Sequence, residues 1–340
     1  MEQPRLFKDW FLDDNRVLPE EATAMARNAD KEKWIAPGKV ALVVGSDEAV
    51  ASTVQNVLPS WEVVRVDKNG SALEMLRDKP YDLVLTGDET SSKEDVELLR
   101  QIRITRPHTR MIILTKQSTP ADVIAAMRER AFSYFSEQYS MADFTQMLKL
   151  ATSGPVWDEG IEVVAATQEW IRLLARCDMR TANRLLQFIH EIADLPEEER
   201  TAVGTAFREV LMNAIEHGAH FDSSQHVEIA YLRTKYAVAC RVKDPGQGFS
   251  LDELRHAAIA NPPDAPLLHL EERNKQGLRP GGFGILLAKH IVDELIYGES
   301  GNDVILIKYL DGRVRSPAPE DPKAKEPAPG EAQNPEGPSD

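Results

Sequence analysis

Glu209, Asn213 and His217 recur at four-residue intervals in the segment Phe207 to Gly218. Wound as a helix, the three stack on one face. Val203, Phe207, Val210, Leu211, Ala214 and Ile215 fall on a separate apolar arc. A carboxylate, an amide and an imidazole in one column can move protons and hold ions, but an ordinary core helix with a solvated stripe has the same pattern. Gly218 reads as a helix stop taking positive φ. Two glycine-rich segments tip the balance. In Val238 to Phe249 an alternating strand runs into Asp244 and a turn holding Gly246 and Gly248. In Arg279-Pro280-Gly281-Gly282-Phe283-Gly284 a glycine run opens a helical stretch from Ile285 to Leu295. Such backbone brings amide N–H groups close to phosphates, and a helix N-terminus favours negative charge. Either loop alone is weak; the ordered set is specific.

That set, Glu-x-x-x-Asn on a helix, Asp-x-Gly-x-Gly after a strand and Gly-Gly-Phe-Gly opening a helix, resembles the GHKL superfamily of ATP-binding domains. Histidine kinases, heat-shock chaperones and type II topoisomerases share it. The likeness is closer still to the bacterial anti-sigma-factor serine kinases, and covers residues 160–310. It implies Mg2+ on Asn213, the adenine amino group on Asp244, and phosphates wrapped by Gly281, Gly282, Phe283 and Gly284. Gly246 and Gly248 would let the chain pass close to the base. Glu209 matches the position proposed as general base, Arg279 precedes the phosphate loop and would reach the γ-phosphate, and His217 lies beside the site. His190-Glu191-Ile192 superficially resembles a phosphoacceptor box. Only 22 residues separate His190 from Asn213, too few for the dimerising hairpin such a box needs, so His190 reads as an ordinary helix residue.

The elements around this region fall into an α/β pattern. Strands are expected at Val40–Val44, Glu62–Val66, Asp82–Thr86, Arg110–Thr115 and Ser133–Phe135. Helices are expected at Ala49–Leu58, Ser71–Asp78, Lys93–Arg103, Pro120–Arg130 and Met141–Thr152. The alternation implies a flavodoxin-like, doubly wound parallel sheet over residues 38–152. The order, with "PYDLVLTGDE", "ELLRQIR" and "MIILT", resembles a response-regulator receiver domain. The family's acidic pair falls here on Gly45 and Ser46, its phosphoacceptor on Gly87 and its lysine on Glu137, while the switch hydroxyl, Thr115, is kept. Without the carboxylates there is no nucleophile. Asp47 and Asp88 would supply one only after a register slip, and the expectation is a pseudo-receiver that binds a partner or dimerises.

Residues 1–37 read as an arm and 153–160 as a linker. Residues 161–312 read as a C-terminal α/β sandwich of the GHKL type, with a strand from Ile161, helices Met179–Ala193 and Pro196–Gly218, and a last strand Val304–Tyr309. Ser250 to Leu278, with Arg273 and Lys275, is long enough for a lid. The tail, 313–340, is rich in Pro, Glu, Ala and Gly and has too little apolar surface to fold.

Composition narrows the function. The 340 residues carry a net charge of -15, which disfavours nucleic acid and anionic membrane. The two cysteines, Cys177 and Cys240, make no disulfide framework or metal-ligand spacing. No apolar run approaches a membrane span and the N-terminus lacks a signal peptide's pattern, so the cytoplasm is expected. The expected function is an ATP-dependent serine/threonine kinase in a partner-switching pathway, its partner an anti-sigma-antagonist-like protein or a sigma factor. The alternatives are a sequestering module shaped by ATP, and a plain ATPase.

Overall fold

A computed structural model describes residues 39–310, except 47, 88, 137–138, 155–159, 168, 249–260, 262–264, 266 and 276–281. The expected arm and tail lie outside the described residues, as do Asp47, Asp88, Glu137, Arg279, Gly281 and most of the expected lid.

The first unit alternates strand and helix: β1 (Val40–Val44), α1 (Glu48–Val57), β2 (Glu62–Val66), α2 (Asn69–Asp78), β3 (Leu83–Thr86), α3 (Ser92–Thr105), β4 (Arg110–Leu114), α4 (Pro120–Arg128), β5 (Ser133–Phe135) and α5 (Met141–Thr152). All strand pairs are parallel, in the order β2-β1-β3-β4-β5. Because both faces of the sheet are covered, the inner strands β1, β3 and β4 are buried along their length rather than alternating, while β2 at the edge exposes Glu62 and Arg65. Leu42, Val44, Val84, Met111 and Ile113 pack with α2, α3 and α4. Ala41, Val43, Leu83, Leu85, Ile112 and Leu114 pack with α1 and α5. Side-chain caps fix several helix starts: Ser91 accepts the Glu94 amide, and Thr119 and Asp122 form a reciprocal capping box at α4.

The second unit holds β6 (Ile161–Ala166), β7 (Trp170–Arg176), α6 (Met179–Ala193), α7 (Glu197–Asn213), a π-helical turn (Ala214–Gly218), β8 (His226–Arg233), β9 (Ala237–Lys243), α8 (Leu268–Lys275), α9 (Gly284–Ile291), β10 (Glu294–Tyr297) and β11 (Asp303–Tyr309). Its sheet is antiparallel, ordered β10-β11-β9-β8-β7-β6. Helices α6, α7 and α9 pack on one face. Ile171, Leu173, Val227, Ile229, Cys240, Val242 and Leu306 meet there the arc read from the sequence, since Val203, Phe207, Val210, Leu211, Ala214 and Ile215 are all buried. Both cysteines are free and buried.

Two expectations need correction, and one is refined. The helix from Ile285 stops at Ile291, and Leu295 belongs to β10, because Asp293 N–H leaves the helix to bond the Ile307 carbonyl. The expected lid contains a helix, α8. Gly218 does not take positive φ. It ends a π turn, in which Ala219 N–H reaches back five residues to the Ala214 carbonyl. Glycine is needed there for space, because a Cβ would collide with the Asp244 carboxylate.

The two units share an interface. α4 and β5 pack against α6, and one continuous apolar cluster includes Val123, Ile124 and Met127 of α4 with Leu185, Phe188 and Ile189 of α6. Arg184, 2% exposed, donates from Nε to the Phe132 carbonyl at 2.8 Å and lies over the Phe132 ring. Gln187 donates to the Tyr134 carbonyl at 2.9 Å, and Glu191 accepts from the backbone N–H and the hydroxyl of Ser136.

Candidate functional site

The sheet of the second unit, α7 and α9 enclose a cleft of about 1160 Å³. Glu209, Asn213 and His217 line it together, as their spacing required. α7 runs to Asn213 in regular α geometry, fixed by its buried arc, and the π turn then carries Glu216, His217 and Gly218 around the cleft's edge. Asp244, Gly246 and Gly248 enter from the end of β9, and Gly282, Phe283 and Gly284 from the start of α9. Of the expected site residues, those nine come together. Arg279 and Gly281 lie outside the described residues. His190 sits on α6 and does not line the cleft.

Two close approaches hold the parts in place. A Cβ on Gly284 would collide with the Glu209 carboxylate, so α7 and α9 meet where the α9 N-terminus presents its amides. A Cβ on Gly246 would lie 2.8 Å from both Asp244 Oδ1 and the Gly218 carbonyl, which seats the Asp244 turn against the end of the π turn. The Asp244 carboxylate accepts the Gly246 amide at 2.8 Å. Burial raises the Asp244 carboxyl above its ordinary range, and Asp303 adds to the effect, while the Gly246 hydrogen bond opposes it. A half-buried carboxylate with one oxygen engaged is an acceptor suited to a ligand N–H.

Two other lining residues, Met179 and Phe221, carried no signal read from the sequence. Met179, the first residue of α6, lies on the rim with Phe221, whose φ is 57°. His220, also lining the cleft, has φ 52°, so two consecutive non-glycine residues occupy the left-handed region there. Neither is glycine or asparagine; His220 reads from the sequence, with His217, as a helix-end histidine able to approach a phosphate.

The donor set suits a nucleotide and its cation. Asn213 supplies a hard amide oxygen of the kind Mg2+ accepts beside phosphate oxygens and water. Among the described residues no group of three His, Cys, Asp or Glu side chains is placed to hold a metal unaided. Asn213 is a side chain in the cleft that could hold such an ion.

The receiver-like unit is chemically different. Gly45 and Gly87 abut at the ends of β1 and β3. Ser46 donates to the Glu89 carboxylate there, and that bond pulls the Glu89 carboxyl below its ordinary range. Thr115 donates to the Gln117 carbonyl, and the Tyr134 hydroxyl is buried against Ser92 at 2.9 Å.

The two units are recognisable classes. Residues 173–308 match the family model of the histidine kinase-like ATPase domain, and residues 41–149 that of the response regulator receiver domain. Over 148 residues the chain is 23% identical to the serine-protein kinase RsbW of Oceanobacillus iheyensis, covering 43% of this chain and 84% of that protein. It is 29% identical over 92 residues to the Fimbriae Z protein of Salmonella typhimurium and 30% identical over 95 residues to the transcriptional regulatory protein ZraR of Klebsiella oxytoca. Each of those matches covers 27% of this chain, and they cover 44% and 21% of the relatives themselves. Similar solved structures include a CheY-like receiver domain from Methanospirillum hungatei, at 21% identity and TM-score 0.30, which covers 33% of this chain and 92% of that one. A response regulator from Thermotoga maritima, at 22% identity and TM-score 0.31, covers 35% of this chain and 100% of that one. Among the described residues no helix is long and apolar enough to cross a membrane.

Proposed function

We propose that this chain binds ATP with Mg2+ in the cleft between α7 and α9, and transfers the terminal phosphoryl group to a serine or threonine of a protein partner. The observation that carries the reading is the meeting of Glu209, Asn213, Asp244 and the Gly282–Gly284 backbone in one cleft. Its likeness to a serine-protein kinase supports the direction of transfer.

In this reading Asp244 accepts the adenine amino group, and the α9 N-terminus with Gly282 and Gly284 donates amides to the phosphates. Asn213 would hold Mg2+, which when bound neutralises phosphate charge. Glu209 takes the proton from the attacking hydroxyl, one turn before Asn213 on the same face. Arg279 is proposed to meet the γ-phosphate, and His217 to border it. The partner is proposed to be an anti-sigma-antagonist-like protein or a sigma factor, in the cytoplasm. The receiver-like unit, with Gly45, Ser46 and Gly87 in the chemical positions, is proposed to fold and bind without taking up phosphate. A second copy would have to meet that unit on a face other than α4–β5, which α6 covers.

Isothermal titration of the full chain with ATP and Mg2+ tests the site. Asn213→Ala and Asp244→Ala should each weaken binding strongly, and a folded chain that ignores millimolar ATP refutes the reading. Glu209→Gln separates enzyme from binder. Phosphotransfer to the cognate partner should fall roughly 10²–10⁴-fold, the range for a lost general base, with ATP affinity little changed. A variant that keeps full transfer removes Glu209 from the mechanism.

A further inference from the structure

The turn that carries Asp244 is held from outside by the β10–β11 hairpin. Asn302, half-buried just before β11, donates from Nδ2 to the Gly246 carbonyl at 2.9 Å and to the Asp244 carbonyl at 3.3 Å. Its own carbonyl accepts the Asp244 N–H at 2.9 Å. The orientation of the amide follows from its neighbours. On one side lie two carbonyls, which only accept, and on the other the Ser300 hydroxyl donates to Oδ1 at 2.9 Å. The third point of the clamp is steric, since a Cβ on Gly248 would collide with the Ser300 carbonyl. Asp244, Gly246 and Gly248 are thus all registered against Ser300 and Asn302. Asn302 does not line the cleft, whereas Asp244, Gly246 and Gly248 do.

We infer that Asn302 is a positioning residue for base recognition: it fixes the turn that aims the Asp244 carboxylate, and so sets the preference for a purine with an exocyclic 6-amino group over a 6-oxo purine. The inference deepens the proposed nucleotide reading and rests on it. The Gly246 amide already occupies Oδ1, leaving Oδ2 for the ligand's N–H. A hydrogen bond fails at a misplacement of well under an ångström. Base selectivity therefore depends on the clamp, while the phosphate end, held at α9, does not.

The test compares ATP with ITP, each with Mg2+, on the full-length chain by titration calorimetry, alongside thermal unfolding. ITP differs at the position that Asp244 would read. The original chain should prefer ATP. Asn302→Ala should weaken ATP roughly tenfold, the worth of one well-placed hydrogen bond, and leave ITP within about twofold. Asn302→Asp, which sets a carboxylate against two carbonyls, should lose more of the preference. Ser300→Ala keeps the clamp but frees the amide to rotate, and should show the same selective loss on a smaller scale even if both Asn302 variants fail to fold. Parallel weakening of ATP and ITP would make Asn302 merely structural and overturn the inference, as would an unchanged ATP-to-ITP ratio. An original chain that binds ATP and ITP equally well also overturns it, leaving the nucleotide site itself standing. A folded original chain that binds neither removes the nucleotide reading, and the inference with it.

Discussion

Asp95 shows how one buried carboxyl writes a pH dependence into the receiver-like unit. It is fully buried, with Oδ1 accepting from Asn69 at 2.9 Å and Oδ2 at 2.8 Å from the Thr90 hydroxyl. The same hydroxyl lies 2.8 Å from the Gly87 carbonyl and has one proton to give. A protonated Asp95 resolves the conflict by donating to Thr90, which then donates to Gly87. Burial accordingly raises the Asp95 carboxyl from 3.8 to about 6, against the hydrogen bonds from Asn69 and Thr90. The folded value lies above the unfolded one, so the stabilisation is complete below the unfolded value and is lost as pH rises through about 6. Asp95→Asn imitates the protonated form. It should stabilise the unit at pH 8 by on the order of 2–3 kcal/mol and little at pH 4, flattening the pH dependence in urea titrations. A variant that tracks the original chain at every pH would contradict this. Asp244 carries the opposite expectation for binding. Its carboxyl is also raised, but the ionised form is the stronger acceptor of a ligand N–H, so ATP affinity should fall on acidification at a higher pH than an ordinary carboxylate would give. Affinity measured from pH 8 to pH 5 checks it, and Asp244→Asn should remove the slope.

Residues of this kind separate what the sequence discloses from what it hides. Glu209, Asn213 and His217 were legible because helical periodicity alone places them in one column. Asn302 was not, because its work is done through backbone carbonyls of the turn that follows β9, and Asp244 lies 58 positions away in the sequence. Gly218 was read correctly as the end of a helix and for the wrong reason. The pressure on it is a neighbouring carboxylate, which no local pattern reveals.

At the scale of elements, the parallel sheet was legible throughout. Buried strands between helices give short apolar runs with clear boundaries, and β1, β2 and β5 start and stop where expected. β7 and β8 escaped notice because both faces of the second sheet carry apolar side chains. Trp170 and Leu174 sit opposite Ile171 and Leu173, and Ala230 and Leu232 opposite Ile229 and Tyr231, which blurs the period of two. The stretch from Ile285 to Leu295 reads as one helix on propensity, yet pairing with β11 claims its last residues. Asp293 anchors that change by accepting the Tyr309 N–H at 2.7 Å. The strongest element-scale prediction concerns α6. Arg184→Ala deletes a buried guanidinium and leaves the carbonyls of Ala131 and Phe132 short of a donor. The loss should be about 2–4 kcal/mol by urea unfolding, with the two units melting in separate steps. A single transition of unchanged midpoint would show that α6 does not bind the units together.

At the scale of the whole molecule, α6 both reaches the cleft and packs on the receiver-like unit. Met179 at its start borders the cleft, and Arg184, Gln187 and Glu191 bolt its middle and end to β5 and Ser136. Thermodynamic reciprocity then applies. If occupancy of the cleft changes how firmly α6 seats on β5, whatever grips the receiver-like unit must alter nucleotide affinity by the same factor. Hydrogen exchange offers a direct reading: saturating ATP should slow amide exchange in β5, well away from the cleft, and Glu191→Ala should abolish that slowing while leaving the cleft itself protected. If the receiver-like unit takes up no phosphate, as proposed, it would in this way keep its value as a lever, answering to the pressure of a partner instead of to the arrival of a phosphoryl group.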